Sequence, residues 1–406
     1  MNKKINRLLA LAALAPLALT ACGGGGSQAS ANGKVGELTV LDYYNNEPDK
    51  THIQKALDKC ASELGVTLKR ETVPGKDLIQ KVLQRSSSRT LPDVLMLDNP
   101  DVQEIAATGG LSPLSDYGVN TSGFAQGMLD AATYEGKVYG LAPTANTLGL
   151  FYNKEMLAAA GIQPPKTWDE LKAAAAKLTT GDRYGLAFSA IATYEGSWQF
   201  LPFMWTNGGD ETDLKSAKVA ESLKLIDDLV ASGSASKSVV NWSQADVRDQ
   251  FAAGKAAMMI NGPWQIPSLA KTPTISWEAV QVPVHEAGQI PVAPLGGEVW
   301  TVPLTGNKDK QAKAAKLVEC ITSDENQLAL AKERFTVPTR TALAGDYVKA
   351  VPQMAAFTDQ VSHARSRTGK LGKEWPKAAT VMYTAIQLAL TDQATPGEAF
   401  TRASAG

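Results

Sequence analysis

Between residues 37 and 98 the chain alternates strand, helix, strand, helix, strand. Residues 37–44 form an apolar, strand-like run. Residues 50–64 carry Ile53, Leu57, Cys60 and Leu64 on one helical face and stop at Gly65, a residue suited to a helix C-cap. Residues 66–71 read as a second strand, 77–85 as a second helix, and 93–98 as a short, nearly continuous apolar strand. Strands separated by helices pair in parallel, with the helices packed across the sheet. An α/β fold is therefore expected. Ligands of such sheets sit outside the carboxyl ends of the strands. That rule directs attention to Asn45, Asn46, Glu47, Asp98 and Asn99, which end or follow these strands.

A chain of 406 residues is too long for one ordinary core. Residues 134–140 read as a small hairpin and 148–152 as a strand, with helices at 154–160 and 168–178. Val219, Leu223, Ile226 and Val230 mark a helix over 215–231 by their spacing. Further helices are expected at 244–253 and 307–322, and strands at 256–260 and 299–303. No linker rich in Pro, Gly or Ser divides the body after residue 37. Two domains without such a linker imply a chain that passes between them more than once.

The amino terminus reads as a targeting segment. Lys3, Lys4 and Arg7 precede an apolar run, Leu8 to Leu19, that falls short of the about 20 residues needed to span a bilayer. It ends in Leu19-Thr20-Ala21-Cys22, which resembles a bacterial lipobox, with cleavage before a lipid-carrying cysteine. Residues 1–21 are expected to be a signal peptide, and 22–37 a lipid-anchored flexible tether built on Gly23–Gly26 and a Ser/Ala/Asn/Gly run. The body would then work in the cell envelope, outside the cytoplasm, on the outer face of the membrane. Lipidation of Cys22 leaves Cys60 and Cys320, open to two readings: a disulfide in an oxidising compartment, or two buried thiols.

Forty basic against 41 acidic residues argue against binding nucleic acid, which needs clustered basic charge. His52, His285 and His363 lack metal-ligand spacing, and the metallohydrolase, serine-hydrolase and phosphate-loop signatures are missing. No metal, cofactor or catalytic residue is expected.

Several motifs then fall in one order. Phe251-Ala-Ala-Gly-Lys-Ala-Ala-Met-Met-Ile-Asn-Gly-Pro-Trp264, Leu148-Gly-Leu-Phe-Tyr-Asn-Lys-Glu-Met-Leu157, Thr167-Trp-Asp-Glu-Leu171, and Tyr134-Glu-Gly-Lys-Val-Tyr-Gly140 with Pro143 resemble signatures of the extracellular solute-binding proteins of ABC sugar importers, the maltose-binding-protein-like family. Glu195-Gly-Ser-Trp-Gln-Phe-Leu-Pro-Phe203 is similar to the segment that supplies sugar-stacking aromatics there. The resemblance implies a two-lobed periplasmic-binding-protein-like fold with a hinge of several crossings and a ligand cleft. It places 38–146 with 296–338 in lobe one and 147–295 with 339–406 in lobe two. Helix 307–322 then shares a lobe with helix 50–64, which favours the Cys60–Cys320 bridge. The implied partners are a carbohydrate, of di- or oligosaccharide size, and the permease subunits in the membrane; a monomer is expected. Glycerol phosphate as the solute, or a secreted glycoside hydrolase, are the alternatives.

Sugar rings present apolar C–H faces and a rim of hydroxyls, so their sites combine aromatic platforms with carboxylates and amides. Trp264, at a strand-to-helix turn, leads the candidates. Trp198 follows, with Glu195 beside it. Glu298 and Trp300 follow Gly296-Gly297, where close backbone approach is allowed, although Trp300 also reads as strand packing. Asn46 fits either the pocket or a turn before Pro48. Asp98 fits the pocket or the N-cap of the next helix. Asn146 stands at the first crossing, where the maltose-binding protein has an acidic residue. Arg365 and Arg367 fit a solvated face rather than the cleft mouth, the other reading, and Met382 and Tyr383 fit core or cleft equally.

Overall fold

The computed structural model describes residues 35–405 apart from Pro273. The signal segment, Cys22 and the tether as far as residue 34 lie outside the described residues.

Five strands build the first sheet, in the order Thr67–Thr72, Glu37–Asp42, Val94–Asp98, Glu298–Thr301, Gly140–Leu141. The first three are parallel, as the alternation of strand and helix requires. The helix Asp49–Leu64 turns Ile53, Leu57 and Cys60 inward and ends on Gly65 at φ 64°. Strand Glu298–Thr301 arrives from far along the chain and lies antiparallel to Val94–Asp98, with Glu298 opposite Asp98. Its core joins Val40, Leu41, Leu95, Leu97, Val299 and Trp300.

Four strands build the second sheet, in the order Trp277–Val280, Gly149–Asn153, Ala256–Asn261, Tyr184–Ala187. Every residue of Ala256–Asn261 is buried, because helices cover both faces. One cover is the cluster around Leu150, Trp168, Phe200 and Ile260, closed by Ala379, Met382 and Ile386 of the C-terminal helix Trp375–Leu390. The other joins Phe151 and Met259 to Tyr347 and Phe357. Met382 is thus core, whereas Tyr383 is only half-buried. Strands Tyr184–Ala187 and Trp277–Val280 were not expected; each has only four residues and no flanking motif.

The two sheets are joined by segments that hydrogen-bond to one another. Thr144–Ala145 pairs antiparallel with Val337–Pro338. Asn146 and Gly296 form a two-way bridge, with N···O distances of 3.0 and 2.8 Å. Pro294–Leu295 pairs in parallel with Arg365–Ser366. Side chains seal the joints: Thr147 Oγ1 donates to the Pro294 carbonyl at 2.8 Å and Thr339 Oγ1 to that of Ala142 at 2.6 Å. A sheet divided between distant stretches of sequence demands such repeated passage.

Cys60 and Cys320 are bonded, tying helix Asp49–Leu64 to helix Lys308–Ile321 with 5.8 Å between Cα atoms. The free-thiol reading is set aside. Asn326 Nδ2 rests on the bridge, 3.4 Å from Cys60 Sγ, and donates to the Cys320 carbonyl at 2.7 Å.

Candidate functional site

Strand Ala256–Asn261 ends in Gly262, followed by a short 3-10 turn, Pro263–Gln265. The Trp264 ring folds back over Gly262: a Cβ built there would lie 1.9–2.3 Å from three ring carbons. Only glycine leaves that space. The turn is fixed by a chain of hydrogen bonds. Asn261 Oδ1 accepts from the Gly262 amide at 3.0 Å, and Asn261 Nδ2 donates to the Gln244 carbonyl at 2.9 Å. Gln265 Nε2 reaches the same carbonyl at 3.3 Å, and the Gln244 amide donates to Glu195 Oε2 at 2.8 Å. Glu195 and the Trp264 turn are therefore one network. Burial raises the Glu195 carboxyl above its usual range, and the Gln244 amide opposes that shift. Gly262→Ala is expected to displace the ring and quench or shift tryptophan fluorescence, with the fold retained by circular dichroism; an unchanged emission spectrum would contradict this packing.

Glu195 lies one turn ahead of Trp198 on helix Tyr194–Thr206, whose first turn is capped by Thr193. Trp198 is 6% exposed and meets the crossing segments edge-on: a Cβ at Gly296 would lie 2.6 Å from its ring and 2.0 Å from Asn146 Oδ1. The Arg367 guanidinium covers the Trp198 ring at 4.6 Å and grips Asp98 with two hydrogen bonds, 2.6 and 3.1 Å. Arg367 is 3% exposed. This corrects the solvated reading of Arg367, and Arg365 is likewise engaged, on Glu211 at 2.6 Å and over the Trp205 ring. Asp98 does not cap the following helix by its side chain. Trp198, Asp98 and Asn146 thus converge at the crossings.

Beyond Asp98 stands Asp101, 4% exposed. Tyr194, from the second half, donates to its Oδ1 at 3.4 Å. Burial, seconded by the Asp98 charge, pushes the Asp101 carboxyl up to about 8.

Glu298, opposite Asp98, accepts from the Tyr43 hydroxyl at 2.7 Å. Tyr43 and Tyr44 directly follow strand Glu37–Asp42, so these groups share the carboxyl edge of the first sheet. Trp300 does not belong with them. It is fully buried in the core of the first half, so its assignment to the ligand site is corrected to strand packing; two residues along a strand from Glu298, its ring is enclosed by the hydrophobic layer. Asn46 is exposed at the turn, where its carbonyl accepts from the Lys50 amide at 2.9 Å. Tyr43, Tyr194 and Asp101 were not anticipated. Only Tyr43 carried a signal, its place at the end of a parallel strand.

Among the described residues no group of three or more His, Cys, Asp or Glu side chains could hold a metal ion, and no helix is long and apolar enough to cross a membrane.

Two halves, each with its own sheet, hinged by mutually bonded crossings, form the frame of a binding protein. Residues 55–356 match the family described as bacterial extracellular solute-binding protein. The chain belongs to this family. A putative binding protein of Brucella abortus is 26% identical to this solute-binding protein over 365 residues, covering 86% of this chain and 87% of the relative. The maltooligosaccharide ABC transporter solute-binding lipoprotein of Streptococcus pneumoniae is 26% identical over 352 residues, covering 82% and 80%. The GacH receptor of Streptomyces glaucescens, solved unliganded and with acarbose, superposes with a TM-score of 0.80 at 26% identity, covering 91% of this chain and 97% of that one.

Proposed function

We propose that this solute-binding protein captures a neutral carbohydrate, of di- or oligosaccharide size, between its halves and delivers it to the permease of an ABC importer. One observation carries the choice of solute. The two guanidinium groups buried at the junction already hold carboxylates: Arg367 holds Asp98, and Arg334 holds Asp49. Around them stand Glu195, Glu298 and Asn146, with aromatic rings at Trp198 and Trp264. This set accepts hydrogen bonds from hydroxyls and stacks on C–H faces. A phosphate would need a free buried cation. The relatives named for maltooligosaccharide and the acarbose-bound receptor support the same reading.

The lobes are taken as 38–146 with 296–338 and 147–295 with 339–406. The turn Gly372–Glu374 leans on helix Val102–Ala107 of the first half, and Gln103 Nε2 reaches Thr368 Oγ1 at 3.5 Å, so the last segment works partly as a further crossing. Binding would draw the lobes together on one ligand and expel water from between them. The reading requires no catalytic group.

A thermal-shift panel of maltooligosaccharides, monosaccharides and glycerol 3-phosphate tests the solute. A sugar at 100 times its Kd should stabilise the fold by about 2.7 kcal/mol. Stabilisation by glycerol 3-phosphate alone would sink the carbohydrate reading. Trp264→Ala is expected to weaken binding of the responding sugar by about 2 kcal/mol, some 30-fold in Kd, the scale of an aromatic anchor. Calorimetric titration reads the affinity. An unchanged Kd with a large loss of apo stability would make Trp264 a packing residue.

The amino-terminal motif supports a lipid anchor at Cys22, holding the protein to the outer face of the membrane as a monomer. Cys22→Ala should release it to the soluble fraction with solute binding intact. Full retention on membranes would contradict the anchor.

A further inference from the structure

Arg334 is the last residue of helix Asp324–Arg334, a position where a cation complements the helix dipole. Its surroundings are unusual for a helix-terminal arginine, because it is 3% exposed. The guanidinium lies over the Tyr44 ring at 4.6 Å, and two of its nitrogens bond Asp49, at 2.9 and 3.4 Å. The third, Nη1, is buried without a hydrogen-bond partner and stands 3.9 Å from Glu298 Oε2. The other Glu298 oxygen accepts from Tyr43.

Glu298 therefore accepts from a phenol on one side and on the other faces a guanidinium at 3.9 Å, a charge contact without a hydrogen bond. It is also the cross-strand partner of Asp98, and two carboxylates placed opposite each other repel. Each has its own arginine, Asp98 the Arg367 side chain and Glu298 the Arg334 side chain, both from distant parts of the sequence. A carboxylate so fixed loses little conformational freedom when a ligand hydroxyl donates to it.

Resting on the carbohydrate reading, we propose that Arg334 is a positioning residue for solute binding. Without touching the ligand, its charge beside Glu298 keeps that carboxylate, bonded by Tyr43, as a fixed hydroxyl acceptor in the first wall of the cleft.

The test combines Arg334→Lys, Arg334→Gln, Glu298→Gln and the double variant Arg334→Gln/Glu298→Gln in the full mature chain. Calorimetry with maltotriose should show about tenfold weaker binding for Arg334→Gln and for Glu298→Gln, partial recovery in Arg334→Lys, and a double variant little worse than either single one. Maltotriose affinity of Arg334→Gln within twofold of wild type, or fully additive losses, would overturn the proposal. Urea unfolding of the same proteins without sugar reads the coupling of the two residues independently. Non-additive midpoints are expected, and strict additivity would also overturn it. Should the wild type bind neither maltotriose nor any other sugar of the thermal-shift panel while the unfolding coupling is present, the carbohydrate reading fails and the positioning of Glu298 stands. If Arg334→Gln does not fold, Arg334→Lys with Glu298→Gln completes the cycle.

Discussion

Replacing both Cys60 and Cys320 by serine is expected to destabilise the protein by about 5 kcal/mol, the loop-closure entropy of a very long loop. The bridge spans 260 residues of sequence and joins two helices that pack on the same sheet. Its effect falls on the unfolded chain, where it keeps the first helix near a segment made much later. In a protein of this size the melting midpoint should drop by about 5 °C. Reducing agent should lower the wild-type midpoint to that of the variant and leave the variant unmoved. Equal midpoints for oxidised and reduced wild type would show that the cross-link adds no net stability.

The pairing shows what one sequence can carry. The strand and helix alternation of 37–98 settled the parallel sheet, because no hairpin can join strands separated by helices. The apolar faces of 50–64 and 307–322 pointed the two cysteines inward. Their meeting, however, depended on a strand inserted from residue 298, and that followed only from the resemblance to a known family.

The candidate site was legible where residue type and local backbone coincide. Trp264 is legible because Gly-Pro precedes it at a strand end, and Glu195 because it lies one turn from Trp198. Arg367 and Arg334 were not, for a physical reason. An arginine reads as exposed unless a carboxylate awaits it, and Asp98 and Asp49 lie hundreds of residues away in sequence. Trp300 failed in the opposite direction. Glu298 and Trp300 stand two residues apart, on the same face of strand Glu298–Thr301, so alternation could not tell the cleft-edge residue from the core residue.

The second large effect is expected at Asp101. Its carboxyl is held at about 8 by burial first and by the neighbouring Asp98 charge second. Glu104 adds to the rise, while Arg367 and the Tyr194 hydroxyl oppose it. Glu374 and Lys377 face Glu104 from the C-terminal segment. The native protein therefore keeps a proton that the unfolded chain gives up near pH 4. Between these values the native state binds more protons, so stability falls as pH rises from about 4 to about 8 and levels off above. The contribution is complete at acid pH and lost on passing the native value. The full span is bounded at about 5 kcal/mol. Asparagine mimics the neutral carboxyl, so Asp101→Asn should match wild type near pH 4 and exceed it at pH 9 in urea unfolding. Parallel profiles for the two proteins would rule out a retained proton. Asp101 sits in the first half and Tyr194 in the second, so drawing the halves apart would hydrate the carboxyl and release the proton. Closure that re-forms the contact would then take a proton up. Affinity for the sugar that the thermal-shift panel identifies should accordingly weaken as pH climbs toward 9 in wild type and stay level in Asp101→Asn.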